Sequence, residues 1–372
     1  MKRVEKLTVS FRDRPVGVLA LSPDGRLCVF EYDKRWLADG FSISPLELPL
    51  KPGLFIAKPS PFRGNFGIFE DSLPDGYGRY LIHKVLQKMN VNDADLSALD
   101  RLSLVGDGGI GALTYAPQTV IDNEISSTDF DLLQQKALEV LREQQDTDAG
   151  LLLYNSGNSG GARPKAVFSD ETGHWLVKFR HIYDPRDIGA QEYKYNDTAR
   201  ACGIDVPDFK LINGRYFASR RFDIDDEGRR LHTATAGALL GISLNQPILD
   251  YANLLALTGF ITQSEPDVEE MYRRMIFNYL TDNKDDHCKN FSFLVRESPG
   301  GGWHWRLAPA YDLTLCTEGY NGEHATSVNG TGHPTLDDFV AVGTKVRLPR
   351  SRCLRLISQV RSSLGPLLRY PL

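Results

Sequence analysis

Apolar and polar residues alternate through KLTVSF (6–11), VGVLALS (16–22) and RLCVFEY (26–32), with turn signals RDRP and PDG between them. This period of two predicts an antiparallel meander at the start of the chain. The Gly- and Pro-rich run KPSPFRGNFGIFEDSLPDG (58–76) predicts irregular backbone. The period then changes. Leu81, Ile82, Val85, Leu86 and Met89 recur at helical spacing in GRYLIHKVLQKM. A second helix is expected to open on Thr128 as N-cap, with Asp131 three positions on and Leu132, Leu133, Ala137, Leu138 and Leu141 forming its apolar face.

From about residue 151 the texture changes again. YNSGNSGGARPKAVFSDETGHWLVKF (154–179) reads as a Gly/Ser loop, a strand KAVFS, a turn DETG and a strand HWLVKF. A helix AQEYKYNDTARAC follows and stops at Gly203. DFKLI and RYFASRRF flank Asn213-Gly214, the strongest short hairpin signal. The rest is mostly helical, and Met271, Met275, Ile276, Tyr279 and Leu280 form an apolar face that leads into NKDDHCKNFSFLV (283–295). A β-rich part, a hairpin and a helical part follow one another as in a two-lobed kinase. The expected fold class is therefore α+β, with a β-rich N-lobe and a mostly helical C-lobe. The expected segments are 1–120, 121–222 and 223–372.

Two glycine patterns suggest phosphate binding. GDGGIG (106–111) matches G-x-G-x-x-G, but a dinucleotide fingerprint needs a strand before it and a helix opening inside it. Here ALTYAPQTV follows, strand-like and broken by Pro117, so a glycine turn between strands is expected. SGNSGGARPK (156–165) is not a Walker A motif, since a strand rather than a helix follows it. Its backbone N–H groups could wrap a triphosphate, with Lys165 as charge partner; the alternative is a plain linker.

Phosphoryl transfer asks a protein for cations on the phosphates, magnesium ligands and a group that orients the attacking hydroxyl. Asp285 and Asn290 stand five positions apart, the spacing of the protein-kinase catalytic loop. Asp285 would orient the hydroxyl and Asn290 would coordinate Mg²⁺, with His287 and Lys289 between them. One histidine among oxygen ligands suits Mg²⁺ better than Zn²⁺. The hairpin NFSFLV–RESPGG–GWHWRL then delivers a second acid, Asp312, where kinases place their other metal-binding aspartate. Lys178 shares a strand face with Leu176 and would point into a cleft, the alternative being an exposed edge lysine. Glu192, on the following helix, would pair with it or stand as a solvated charge.

Composition narrows the class without changing this picture. Apolar residues make up 41% and charged residues 24% of the 372, as in ordinary globular proteins, and the net charge of −5 gives no support for broad nucleic-acid binding. No stretch approaches the roughly 20 apolar residues of a membrane span. The N-terminus lacks the apolar core of a signal peptide. Five scattered cysteines without a CxxC pair read as reduced thiols in a cytoplasmic protein.

The chain resembles the HipA-type serine/threonine kinases of bacterial toxin–antitoxin modules. The resemblance rests on GGARPK (160–165), WLVKF (175–179), RRFD (220–223), NKDDHCKNFSF (283–293) and LAPAYDL (307–313). FRGNFGIFEDSLPDGYGR and GGIGALTYAP extend it to the family's N-terminal subdomain, so it covers essentially the whole chain. It implies an atypical kinase fold, ATP and Mg²⁺ as cofactors, a protein substrate and a HipB-like DNA-binding antitoxin that ties the kinase to operator DNA. Carried over, Gly160, Gly161, Ala162, Arg163, Pro164 and Lys165 would cradle phosphates that Lys178 contacts. Arg220, Arg221, Phe222 and Asp223 would form the adenine hinge, with backbone groups of Arg220 and Phe222 meeting the base. Asp285 would be the catalytic acid/base, His287 a nucleotide-site residue, and Asn290 and Asp312 the metal ligands. One position departs. The loop serine that family members autophosphorylate is Asn158 here, flanked by Ser156 and Ser159 as alternative acceptors. A small-molecule or lipid kinase and a non-catalytic antitoxin-binding module are the competing readings; intact Lys178, Asp285, Asn290 and Asp312 argue against the latter.

Overall fold

The computed structural model describes residues 3–120, 127–143, 149–156, 161–246 and 248–370. These form two compact units, residues 1–189 with 210–233 and residues 190–209 with 234–372.

The first unit opens with β1 (Lys6–Phe11), β2 (Arg14–Leu21) and β3 (Cys28–Tyr32), the expected meander. Helix α1 (Lys34–Asp39), strand β4 (Leu54–Ile56), helices α2 (Gly67–Glu70), α3 (Gly76–Lys88) and α4 (Ala98–Val105), and strand β5 (Leu113–Ala116) complete this part. The strands form one sheet in the order β4-β3-β2-β1-β5. Alternation buries Leu7, Val9 and Phe11, and Phe11 meets Trp36 and Phe41 edge-on at 5.7 and 5.3 Å. GDGGIG joins α4 to β5 rather than two strands as expected. A helix before it and a strand after it are the reverse of the dinucleotide order, which excludes that reading.

Helices α5 (Phe130–Leu141) and α6 (Ala149–Ser156) lead to β6 (Lys165–Asp170), β7 (Gly173–Lys178), β8 (Phe209–Ile212) and β9 (Tyr216–Arg220), a second sheet ordered β6-β7-β9-β8. The cap of α5 is Asp129, whose carboxylate accepts from Leu132 N–H at 3.0 Å, not Thr128. A carboxylate is the stronger acceptor, so the helix starts one residue later. Asn213 and Gly214 both have positive φ, +52° and +70°, as a two-residue hairpin of this twist requires. Tyr77, Leu81 and Val85 of α3 share one core with Leu133 and Ala137 of α5 and with Ala166, Trp175 and Val177 of the second sheet.

The second unit holds most of α7 (Ile188–Ala201), then β10 (Thr233–Thr235), α8 (Ala236–Leu240), β11 (Leu249–Asp250), α9 (Tyr251–Thr262) and α10 (Glu265–Leu280). Strands β12 (Ser292–Glu297), β13 (Trp303–Leu307) and β14 (Thr326–Ser327) and helices α11 (Leu336–Lys345) and α12 (Arg350–Ser363) follow. Helix α10 is buried well beyond its predicted face, Tyr272, Phe277 and Asn278 included, because α9 and α12 both pack on it. The predicted hairpin is β12–β13, with Phe293 opposite Leu307.

Candidate active site

Helix α10 delivers the chain into the loop 281–291, whose polar side chains are tied to one another. Asn283 Nδ2 donates to Asn278 Oδ1 (2.9 Å), and Asn278 Nδ2 donates to Tyr251 Oη (2.9 Å). The Tyr251 hydroxyl donates to Asp286 Oδ2 (2.8 Å), which His324 Nδ1 also meets at 3.0 Å, while Thr326 N–H donates to Oδ1 (3.2 Å). Asp286 is 1% exposed. A buried carboxylate needs such a set of donors, and this one fixes the loop. Of the two adjacent aspartates, Asp286 is therefore the brace, and the Asp285 carboxylate is nearly half exposed.

The rest of the loop is oriented around Asp285. Asn290 Nδ2 donates to the Asp285 carbonyl (2.7 Å), so its Oδ1 is the atom turned to other partners. His287 Nδ1 accepts from Lys289 N–H (3.2 Å), which leaves the ring proton on Nε2, and Nε2 lies 3.8 Å from Asp285 Oδ1. Asp312 adopts φ = +58°, a left-handed conformation that glycine, asparagine and aspartate enter more readily than other residues. Its neighbour Tyr311 joins the two halves of the site. The Tyr311 hydroxyl donates to Lys289 O (2.6 Å) and shares a 2.5 Å hydrogen bond with Ser292 Oγ, on either side of Asn290. Asn290 and Asp312 line one pocket together with Asn283 and Asp286; the Asp285 side chain is not part of that lining.

The donor set fits magnesium. Among the described residues no three His, Cys, Asp or Glu side chains converge as a metal cage. An amide oxygen and one carboxylate leave the other positions to phosphate and water, the usual way proteins hold Mg²⁺. Among the described residues the buried Oδ1 of Asn283 has no hydrogen-bond partner, so this pocket has unmet acceptor capacity beside Asn290 and Asp312.

Helix α7 supports the same region. Tyr195 Oη donates to Thr281 O (2.7 Å), and Asn196 Nδ2 reaches Leu313 O (3.4 Å), one residue past Asp312. Glu192 is 2% exposed, which excludes a solvated helix charge.

In the first unit, Lys165 and Lys178 are direct register partners across β6 and β7. They stand on the sheet face opposite Ala166 and Val177, so two ammonium groups share one side. Lys165 is buried, and Lys178 Nζ lies 6.0 Å from the Phe217 ring centre. The glycine loop enters this sheet braced. Arg163 forks onto Asp184 through Nε (2.9 Å) and Nη2 (3.2 Å), and Pro164 O accepts from Phe179 N–H (2.8 Å). Gly161 N–H donates to Asp75, so that amide is committed within the protein. Gly160 and Ser159 lie outside the described residues. Ser156 is buried as the last residue of α6, its Oγ donating to Leu153 O (3.1 Å).

At the hinge motif, Arg221 N–H donates to His174 O (2.8 Å) and Arg220 pairs with Asp226 (2.8 Å); Phe222 is half-buried. Asp223, expected beside the adenine, uses its carboxylate on Arg221 Nε and Nη2 (3.0 and 2.7 Å) and on Gly111 N–H (2.9 Å). Burial alone would raise its pKa, but Arg221 and these hydrogen bonds hold it below the usual carboxylate value. It braces the strand end.

An α+β chain with these two sheets, this hairpin and these loops has a kinase-like fold. A solved complex described as the Shewanella oneidensis MR-1 toxin–antitoxin system HipA, HipB and its operator DNA superposes with a TM-score of 0.71 at 19% identity, covering 98% of this chain and 92% of that one. The model of the HipA-like C-terminal domain matches residues 157–365, and that of the HipA N-terminal domain matches 7–116. The chain belongs to the HipA family. Relatives include the serine/threonine-protein kinase toxin HipA of Shewanella oneidensis, 24% identical over 84% of this chain and 76% of that protein. Y4dM of Sinorhizobium fredii, named as a candidate kinase, is 25% identical over 88% of this chain and 81% of its own length. Among the described residues, no helix is long and apolar enough to cross a membrane.

Proposed function

We propose that this chain is an ATP- and Mg²⁺-dependent serine/threonine protein kinase acting as the toxin of a toxin–antitoxin module. It would phosphorylate a cytoplasmic protein, and a HipB-like antitoxin would hold it in check and link it to operator DNA. The observation that carries this reading is the Tyr311 bridge, which fastens the Asn290 and Asp312 segments around one pocket, with Asn290 hydrogen-bonded to the Asp285 carbonyl. The names of the Shewanella relative and of the HipA–HipB–DNA complex support the same reading.

Bound Mg²⁺·ATP supplies the phosphoryl group and the charge that neutralises it. Asn290 Oδ1 and the Asp312 carboxylate would hold the cation, and Lys165 and Lys178 the phosphates. Backbone groups of Arg220 and Phe222 would receive the adenine. Asp285 orients the acceptor hydroxyl and takes its proton at a carboxylate that is nearly half exposed. His287 sets its Nε2–H towards that carboxylate. Self-phosphorylation at Ser156 would require opening the end of α6, which favours the other serine of the loop, Ser159.

The test is transfer of the γ-phosphate from ATP to protein fractions, run beside growth on expression. Asp285→Asn should cut transfer about 10³-fold or more and abolish growth arrest. Thermal stabilisation by Mg²⁺·ATP should survive, because the metal ligands are intact. Transfer or growth arrest at the wild-type level would reject the kinase mechanism.

A further inference from the structure

The end of the glycine loop is held by a part of the chain that contributes no residue to the chemistry above. Gly161 has both of its backbone polar groups engaged by the N-cap and the second residue of α3. Its N–H donates to Asp75 Oδ1, and its carbonyl accepts from Tyr77 N–H at 3.1 Å. Asp75 sits in the N-cap position of α3, yet its side chain makes no capping hydrogen bond to that helix. The carboxylate that would ordinarily close α3 reaches the loop instead.

Contact at this point is tight. Gly76 has φ = +43°, and a Cβ placed there would come within 2.6 Å of Gly161 O and 2.8 Å of Ala162 Cα. Both are backbone atoms, so the loop itself would have to move. On the loop side, a Cβ at Gly161 would meet Lys165 Nζ at 2.7 Å, so the lysine ammonium lies over this same peptide. Tyr77 is 4% exposed and packs in the core that contains Ala166 and Val177. The anchor is therefore continuous with the strands that carry Lys165 and Lys178.

We infer that Asp75, Gly76 and Tyr77 form a two-point anchor that sets where Gly161 and Lys165, at the exit of the glycine loop, stand, making Asp75 a positioning residue for nucleotide phosphates. This rests on the ATP-binding reading of the loop. The physical ground is economy of freedom. A loop that must wrap phosphates loses backbone entropy on binding, and one held at its exit has already lost part of it. Gly161 N–H is also withdrawn from the cradle, so phosphate contacts must come from other groups of the loop.

Full-length wild type, Asp75→Ala, Asp75→Asn and Gly76→Ala are compared for Mg²⁺·ATP affinity with a ribose-labelled fluorescent ATP, alongside the melting midpoint without nucleotide. Asn keeps an isosteric Oδ1 acceptor, so Asp75→Asn should bind within about threefold of wild type. Asp75→Ala and Gly76→Ala should weaken binding at least tenfold, and with a generic protein substrate should raise KM for ATP more than they lower kcat. A merely structural role would lower the midpoint and leave that split unmoved. Amide exchange of Gly161 in the wild-type chain is read as well, and should be slow with and without Mg²⁺·ATP. If Asp75→Ala binds Mg²⁺·ATP like wild type, or the Gly161 amide exchanges at the rate of a free loop, the anchor is refuted and the kinase reading stands. If wild type itself binds no Mg²⁺·ATP while the Gly161 amide is protected, the kinase reading fails and takes the positioning role with it.

Discussion

Tyr311→Phe removes one oxygen atom and isolates the joint between the two segments that carry the proposed metal ligands, Asn290 and Asp312. The hydroxyl donates to Lys289 O at 2.6 Å and shares a 2.5 Å bond with Ser292 Oγ, and Ser292 is 2% exposed. Each hydrogen bond is worth about 1 kcal/mol net, and leaving a buried partner without one adds about 1 kcal/mol or more. The expected loss of global stability is thus about 2–3 kcal/mol, readable as a lower urea midpoint at unchanged slope. The phenyl ring keeps the packing, so little of this is cavity cost. Since 1.4 kcal/mol is a factor of ten, slack of this size between Asn290 and Asp312 should raise the Mg²⁺ concentration for half-maximal stabilisation by ATP about 30- to 140-fold. The assay is a Mg²⁺ titration of thermal shift at fixed ATP, performed on folded protein well below the midpoint of either form in urea. A stability loss with an unchanged Mg²⁺ requirement would refute the reasoning, because Tyr311 would then hold the fold without holding Asn290 and Asp312 for a metal ion.

Two further outcomes follow from buried ionisable groups. Asp223→Asn leaves Arg221 without the carboxylate it forks onto; breaking such a pair should cost about 3 kcal/mol, and a urea midpoint near that of wild type would contradict it. His232 is buried with its Nε2–H donated to Ile43 O (2.8 Å), and burial pushes its pKa down to about 4. The unfolded chain takes up this proton near pH 6.5 and the folded protein does not, so the contribution is full above pH 6.5 and erodes as pH falls towards 4. The loss by pH 4.5 should be about 2–3 kcal/mol. His232→Gln should remove that erosion, seen as a stability difference from wild type that changes between pH 7 and 4.5; a constant difference would exclude His232 as its source.

Local pattern carried much of this fold. The period of two in KLTVSF, the Asn213-Gly214 turn and the helical spacing before NKDDHCKN each depend on neighbours within a few residues, and each appears where the pattern put it. Where a local signal erred, another local acceptor had won, as when Asp129 displaced Thr128 at the cap. GDGGIG illustrates a pattern whose meaning lies in what precedes it, and α4 was not visible in the alternation.

The sequence by itself determined the class of elements, their order, and the polar residues set where strands begin, because helix and strand periods and turn conformations are properties of short stretches of backbone. Only the tertiary structure decided which of two adjacent aspartates is buried, which hydroxyl joins the segments that carry Asn290 and Asp312, and that Asp75 reaches 86 residues along the chain to Gly161. Those choices rest on a few hydrogen bonds between distant segments. A donor meeting a distant acceptor leaves no period in the chain, so it becomes readable only once the core has brought the two together.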